Sequence, residues 1–126
     1  MRLSRSACHA LRAVVEMARG EQPVTVAELA ARHALPEGAL AKVLQALVRA
    51  HIVHGTRGVG GGYRLAREPG QINVLEVVDV FDPPPPADVL ANSAAASDDR
   101  LRQLFDEVEG TARTALGAVT FANLAR

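Results

Sequence analysis

A chain of 126 residues is long enough for one domain with a real core, or for a small domain with an extension. Its hydrophobic content of 48% is ordinary for a folded protein, whereas aromatics supply only 3%, so the core must be aliphatic, alanine-rich and suited to closely packed helices. One cysteine, Cys8, excludes an internal disulfide, and a net charge of zero hides a division that argues for a polyanionic partner on one half only.

Residues 1–67 hold ten Arg and Lys against four Glu, a net of +6, and residues 68–126 carry the compensating −6. All four histidines, His9, His33, His51 and His54, lie in the first half. The N-terminal stretch carries Arg2, Arg5, His9 and Arg12 with no continuous apolar run behind them. No signal peptide and no membrane span are therefore expected, and a cytoplasmic location is.

The first helix is expected from about Ser4 to Arg19, with Ala7, Leu11, Val14, Val15 and Ala18 inward and Arg5, His9, Arg12, Glu16 and Arg19 outward. Gly20 and Pro23 end it. Thr25 with Glu28 predicts a capping box for a short second helix, Val26 to His33, whose alanines allow close packing. Ala34-Leu35 forms a turn, and Pro36 is expected at the first position of a third helix, with no side-chain acceptor to cap it. In that helix Leu40, Val43, Leu44, Leu47 and Val48 make one apolar face, while Lys42, Gln45 and Arg49 share the other.

Beyond it, Ile52-Val53-His54 and Tyr63-Arg64-Leu65 are strand-like, and Gly58, Gly60, Gly61 and Gly62 cluster at the turn between them. Two short helices followed by a glycine-tipped, arginine-bearing hairpin form the pattern of a winged helix-turn-helix on duplex DNA. Glu68-Pro69-Gly70 is a turn, and Asn73 with Glu76 predicts a capped helix to Phe81, with Val74, Val77, Val78 and Phe81 inward. Residues 83–97 are rich in Pro, Ala, Ser, Asp and Asn and read as a linker. Asp98 and Asp99 start a last long helix of ~30 Å, with Gly110 and Gly117 as places to bend. Leu101, Leu104, Phe105, Val108, Ala112, Ala115, Leu116 and Val119 form its apolar face. So small a domain cannot cover such a face, so a second copy of the chain is expected on it rather than a fold back onto its own domain. Thr120 caps a short closing helix.

In this order the pieces resemble the Rrf-two superfamily of bacterial winged-helix regulators, which includes the IscR, NsrR and CymR types. The resemblance rests on Met1-Arg2-Leu3-Ser4 with Ala10 to Ala13, on Val26 to Ala30 and on Ile72 to Val78. Its most specific part is the wing, Arg57-Gly58-Val59-Gly60-Gly61-Gly62-Tyr63-Arg64-Leu65-Ala66-Arg67. It implies a homodimer on a partly palindromic operator, with a recognition helix in each major groove and a wing at each minor groove. The chain is expected to act as a repressor relieved by a signal, with a small-molecule or protein effector as the candidate partner. On this basis Arg2, Ser4, Glu37, Gly38, Ala39, Lys42, Arg49, Arg57, Gly58, Gly60, Gly61, Gly62 and Tyr63 are the expected DNA contacts. Leu101, Leu104, Phe105, Val108, Ala112, Ala115 and Leu116 are the expected dimer interface.

Many members of that superfamily bind an iron–sulfur cluster through three cysteines before the long helix. Residues 82–100 contain no cysteine, and no histidine follows His54, so no cofactor is expected here. Ala41 stands where such relatives often carry an acidic base reader, and Gly38 and Ala39 replace larger residues. The relatives' operator sequence therefore does not transfer, and DNA shape is expected to count for more.

Other readings of these motifs fail or differ testably. The glycine run lacks the third fingerprint glycine, where Tyr63 stands, and has no Gly-Lys-Ser/Thr. No catalytic constellation groups the histidines, so an enzyme is not expected. Cys8 is either a small buried filler or a redox-sensitive thiol between Arg5 and Arg12. The expected architecture is mainly α with a small β-hairpin: a winged helix-turn-helix domain over 1–81, a linker over 82–97, and a dimerisation helix with a closing segment over 98–126. The alternative is a winged-helix protein-interaction module with little affinity for DNA.

Overall fold

The computed structural model describes residues 2–84 and 99–126. Helix α1, Arg5–Arg19, starts where Ser4 caps it, the hydroxyl accepting from the Ala7 N–H at 3.1 Å. Thr25 caps α2, Val26–His33, in the same way through Glu28. The reciprocal half of the expected capping box is replaced by an ion pair, with the Glu28 carboxylate 3.7 Å from Arg32. Ala34 then turns the chain in the left-handed conformation, with φ 53°, so that α3, Glu37–Arg49, leaves at once.

The end of α3 carries a Schellman motif. The Ile52 N–H donates to the Leu47 carbonyl and the His51 N–H to the Val48 carbonyl, each at 3.0 Å. His51 supplies the left-handed residue, φ 61°, where glycine is commoner. Its reward is placement: Ile52 folds back to lie buried with Leu47, and strand β1, Val53–Thr56, begins immediately. Strand β2, Gly62–Leu65, pairs antiparallel with it, Val53 opposite Leu65 and Thr56 opposite Gly62. Val24 adds a single bridge at the other edge of β2, through two backbone hydrogen bonds to Tyr63 at 2.8 and 2.9 Å.

A 3-10 turn, Pro69–Gln71, leads to α4, Val74–Phe81. Here the capping box is complete. Asn73 accepts from the Glu76 N–H, and the Asn73 N–H donates to the Glu76 carboxylate, both at 3.0 Å. Helix α5, Asp99–Gly117, and the short α6, Phe121–Leu124, close the chain.

The core is aliphatic, as composition requires. Leu29, Leu40, Leu44, Leu47, Ile72, Val77 and Val78 are fully buried, and each such side chain contributes about 1.5–3 kcal/mol of transfer free energy. Helix α1 lies at the centre, packed on α3, α4, α6 and β2. Phe121 is fully buried in this same cluster, and backbone hydrogen bonds Val74–Val119 and Phe121–Ile72 lace the start of α6 to the start of α4. The closing segment is thus part of the winged-helix core.

Four expectations need correction. His9, expected on the outer face of α1, is buried, because neighbours on several sides rotate the inward face to Ala7, Ala10, Ala13, Val14 and Met17. Leu11, Val15 and Ala18 are only half-buried. Pro36 is the N-cap residue of α3 rather than its first helical residue, with ψ 125°, and no side chain caps that end. Phe81 is half-buried rather than inward. Most of the expected linker, residues 85–97, and Met1 and Asp98 lie outside the described residues.

Candidate nucleic-acid interface

The apolar face of α3 faces the core through Leu40, Val43, Leu44 and Leu47, which leaves Glu37, Gly38, Ala39, Lys42, Gln45 and Arg49 exposed on the opposite side. At the N-terminal end this surface is nearly bare. A Cβ placed on Gly38 would have no heavy atom within 4 Å. A helix end with such small residues can approach a flat partner closely, and its unpaired N–H groups suit an anion there.

The hairpin stands beside the C-terminal half of α3. Gln45, Val48 and Arg49 of the helix and Thr56, Arg57 and Tyr63 of the hairpin line a shared cleft of about 450 Å³. Arg49 and Arg57 are exposed, so the cleft presents two guanidinium groups between the helix and the wing. The wing itself is set by backbone geometry. Gly58 and Gly60 have φ of +97° and +78°, and the Gly61 N–H closes the turn on the Gly58 carbonyl at 3.0 Å. A Cβ on Gly61 would lie 2.4 Å from the Thr56 oxygen, and one on Gly62 2.9 Å from the Val24 backbone. The glycines are therefore required by the fold of the hairpin as well as by any ligand.

Tyr63 is half-buried: its backbone bonds Val24 and its ring sits against Gly55. It positions the wing more than it faces outward. Arg64 and His54, opposite each other across the strands, are exposed on the other face of the hairpin from Tyr63 and Gly55, a placement that alternation along β1 and β2 could have flagged. Arg67 is turned away into structure, donating to Glu76 at 3.0 Å and to the Gln71 carbonyl at 3.2 Å.

At the N-terminus Arg2 is exposed, while Ser4 is committed to capping α1 and its N–H donates to the Asp82 carboxylate at 2.8 Å. That contact spans 78 residues of sequence and ties the start of α1 to the end of α4. Cys8 is exposed, so it is no core filler.

The expected dimer face of α5 divides in two. Leu101, Leu104, Phe105 and Val108 are 43–55% exposed. Ala112 and Leu116 are half-buried and Ala115 is exposed, with Leu116 and Val119 packed on the core. A bidentate ion pair, Arg113 with Asp79 at 2.9 Å for both bonds, fixes this second half to α4. Donating to the Asp79 carboxylate, with Glu109 nearby, raises the Arg113 pKa above its already high ordinary value, so the guanidinium stays charged. No described helix is long and apolar enough to cross a membrane.

Known proteins share this arrangement along the whole chain. The chain is 34% identical to the BadM HTH-type transcriptional regulator of Rhodopseudomonas palustris, across 98% of itself and 81% of that protein. It is 28% identical to the HTH-type transcriptional regulator CymR of Bacillus subtilis, across 99% and 90%. The solved structure of CymR, the global cysteine regulator of B. subtilis, superposes with a TM-score of 0.79 at 27% identity, covering 99% of this chain and 96% of that one. The T. potens IscR structure gives 0.79 at 25% identity, covering 98% and 85%. The profile of the Rrf2 family, described as iron-dependent transcriptional regulators, matches residues 3–126. With its helix pair, glycine-tipped wing and long C-terminal helix matched together, the chain belongs to the Rrf2 family of DNA-binding transcriptional regulators.

Proposed function

We propose that the chain acts as a homodimeric repressor that occludes an operator, with α3 in the major groove and the wing at the minor groove, and that it does so without an iron–sulfur cluster. The observation that carries the first part is the surface shared by α3 and the hairpin, where Lys42, Arg49 and Arg57 stand exposed beside a glycine tip that bears a single side chain, Val59. Cations there neutralise phosphates, while a tip built mostly of glycines fits the ~6 Å minor groove.

A second copy is the natural occupant of the first half of α5. Four large apolar side chains project there in a helical stripe, next to an open groove lined by Leu104, Val108 and Ala112. Two antiparallel or crossed copies of one such helix would bury the stripe in a self-complementary contact. A dimer also doubles the DNA contacts, which makes weak individual base readers at Gly38 and Ala39 sufficient for a stable complex.

The cluster-free part is supported by the donor set. Iron–sulfur clusters require thiolate or imidazole ligands, and this chain has one cysteine, in α1, and no cysteine or histidine in residues 82–100. These residues do not fit a cluster of the kind that a set of cysteines would hold. The family's description as iron-dependent is therefore a property that this member is proposed not to share.

Footprinting on fragments selected from the organism's own genome tests the proposal. Two protected half-sites about one helical turn apart and blocked transcription from the adjoining promoter are expected. Protein purified without oxygen should be colourless, and an iron chelator should leave its DNA affinity unchanged. A brown, iron-containing preparation would contradict the cluster-free assignment, and protection of a single half-site would contradict the dimer.

A further inference from the structure

The wing carries one side chain that nothing so far employs. Val59 is fully exposed at the hairpin tip, flanked by Gly58 and Gly60. A lone exposed valine is ordinary on a protein surface. This one differs in its setting, because the next residues, Gly60 to Gly62, carry no side chain and Arg57 stands just before it. The tip is also restrained. Gly61 is bonded back to Gly58, and there is no room for a Cβ at Gly61 or Gly62, so the turn holds Val59 at the apex rather than letting it fold away.

The geometry points to Val59 as the residue by which the wing selects A·T over G·C pairs in the minor groove, resting on the DNA-binding function proposed above. In that groove an A·T pair offers only the acceptors adenine N3 and thymine O2, whereas a G·C pair adds the guanine 2-amino group, which stands up from the floor. The Val59 isopropyl group has no acceptor for that amino group and is wide enough to collide with it. Against an A·T floor it meets no such obstacle and packs between the sugar walls. Arg57 supplies the complementary attraction, since its guanidinium can donate to the A·T acceptors and is drawn to the negative potential of a narrow A·T groove. Attraction from Arg57 and exclusion by Val59 then favour the same sequences. The small residues of α3 leave base reading thin in the major groove, which gives this filter more weight.

Inosine separates the cause from its alternatives, because an I·C pair lacks the 2-amino group and otherwise keeps the edges of G·C. The probe is a duplex retained by the whole protein from a random-sequence pool, rescanned with A·T, G·C and I·C at each pair outside the half-site cores. At the wing-contacted pairs, G·C should weaken binding about tenfold, equivalent to about 1.4 kcal/mol. I·C should restore it to within about twofold. In Val59→Ala the ratio between A·T and G·C probes should fall to about twofold, whatever the absolute affinity, and the thermal melting curve should not change because the side chain touches no core residue. Equal binding of A·T and G·C probes overturns the inference. So does an I·C probe as weak as G·C, or an unaltered ratio in Val59→Ala. A wild-type protein that retains no duplex at all overturns the proposed function and this inference with it.

Discussion

The hairpin tip and the first half of α5 both project beyond the core, and they do so with opposite chemistry. The tip shows glycine backbone, one valine and a flanking arginine. The α5 segment shows Leu101, Leu104, Phe105 and Val108 between charged neighbours. A surface of backbone and cations gains little from another protein and much from a polyanion, whose condensed counterions it releases. A leucine-rich stripe gains from burial against an equally apolar surface. On the proposed function, what holds the operator is separate from what pairs the protomers, and the two should fail separately when mutated.

Breaking the α5 side should have the largest effect. Leu104→Asp with Phe105→Asp is expected to yield folded monomers by sedimentation and to weaken operator binding at least about a hundredfold, because the second half-site then no longer binds at high effective concentration. An intact dimer would show that another surface pairs the protomers. Gly61→Ala comes next. The added Cβ sits 2.4 Å from the Thr56 oxygen, so the turn must open. A roughly tenfold loss of affinity is expected with the dimer unchanged, since a misplaced wing forfeits its contacts at both half-sites. Arg57→Ala should cost about three- to tenfold and lower the salt dependence by about one released counterion per protomer. An unchanged affinity would remove the wing from the interface.

The smallest effect sharpens the comparison instead of breaking it. Asp79 and Arg113 join α4 to the second half of α5 and, in the proposed dimer, would set the angle at which the DNA-contacting domain sits on that helix. Asp79→Asn should leave the fold and dimer in place, because a partly exposed pair contributes little to stability. It should broaden the tolerance for one extra base pair between half-sites. Unchanged spacing preference would mean that the core contacts of Leu116 and Val119 fix the angle alone.

Much of this was readable before any coordinates, wherever the cause is local. Asn73 and Glu76 place α4 to the residue because a capping box is made by side chains three positions apart. The wing was legible because its positive φ values admit few residues but glycine. What depends on neighbours far away in sequence was not legible. The rotation of α1 that buries His9 follows from α3, α4 and α6 packing around it, and amphipathic spacing on α1 alone points elsewhere. The Ser4–Asp82 and Arg113–Asp79 contacts span 78 and 34 residues, so no local pattern announces them. The division of α5 into an exposed half and a half pinned to α4 follows from the second of these, since its apolar stripe reads as continuous.

The salt dependence of binding to a selected operator duplex tests the central claim most directly. With Arg2, Lys42 and Arg49 meeting phosphates in both protomers and Arg57 placing one more cation in each minor groove, the logarithm of the affinity should fall with the logarithm of salt concentration at a slope of about −6 to −8. A slope near zero would contradict the account, because a winged helix that bound its partner through other chemistry would release no counterions.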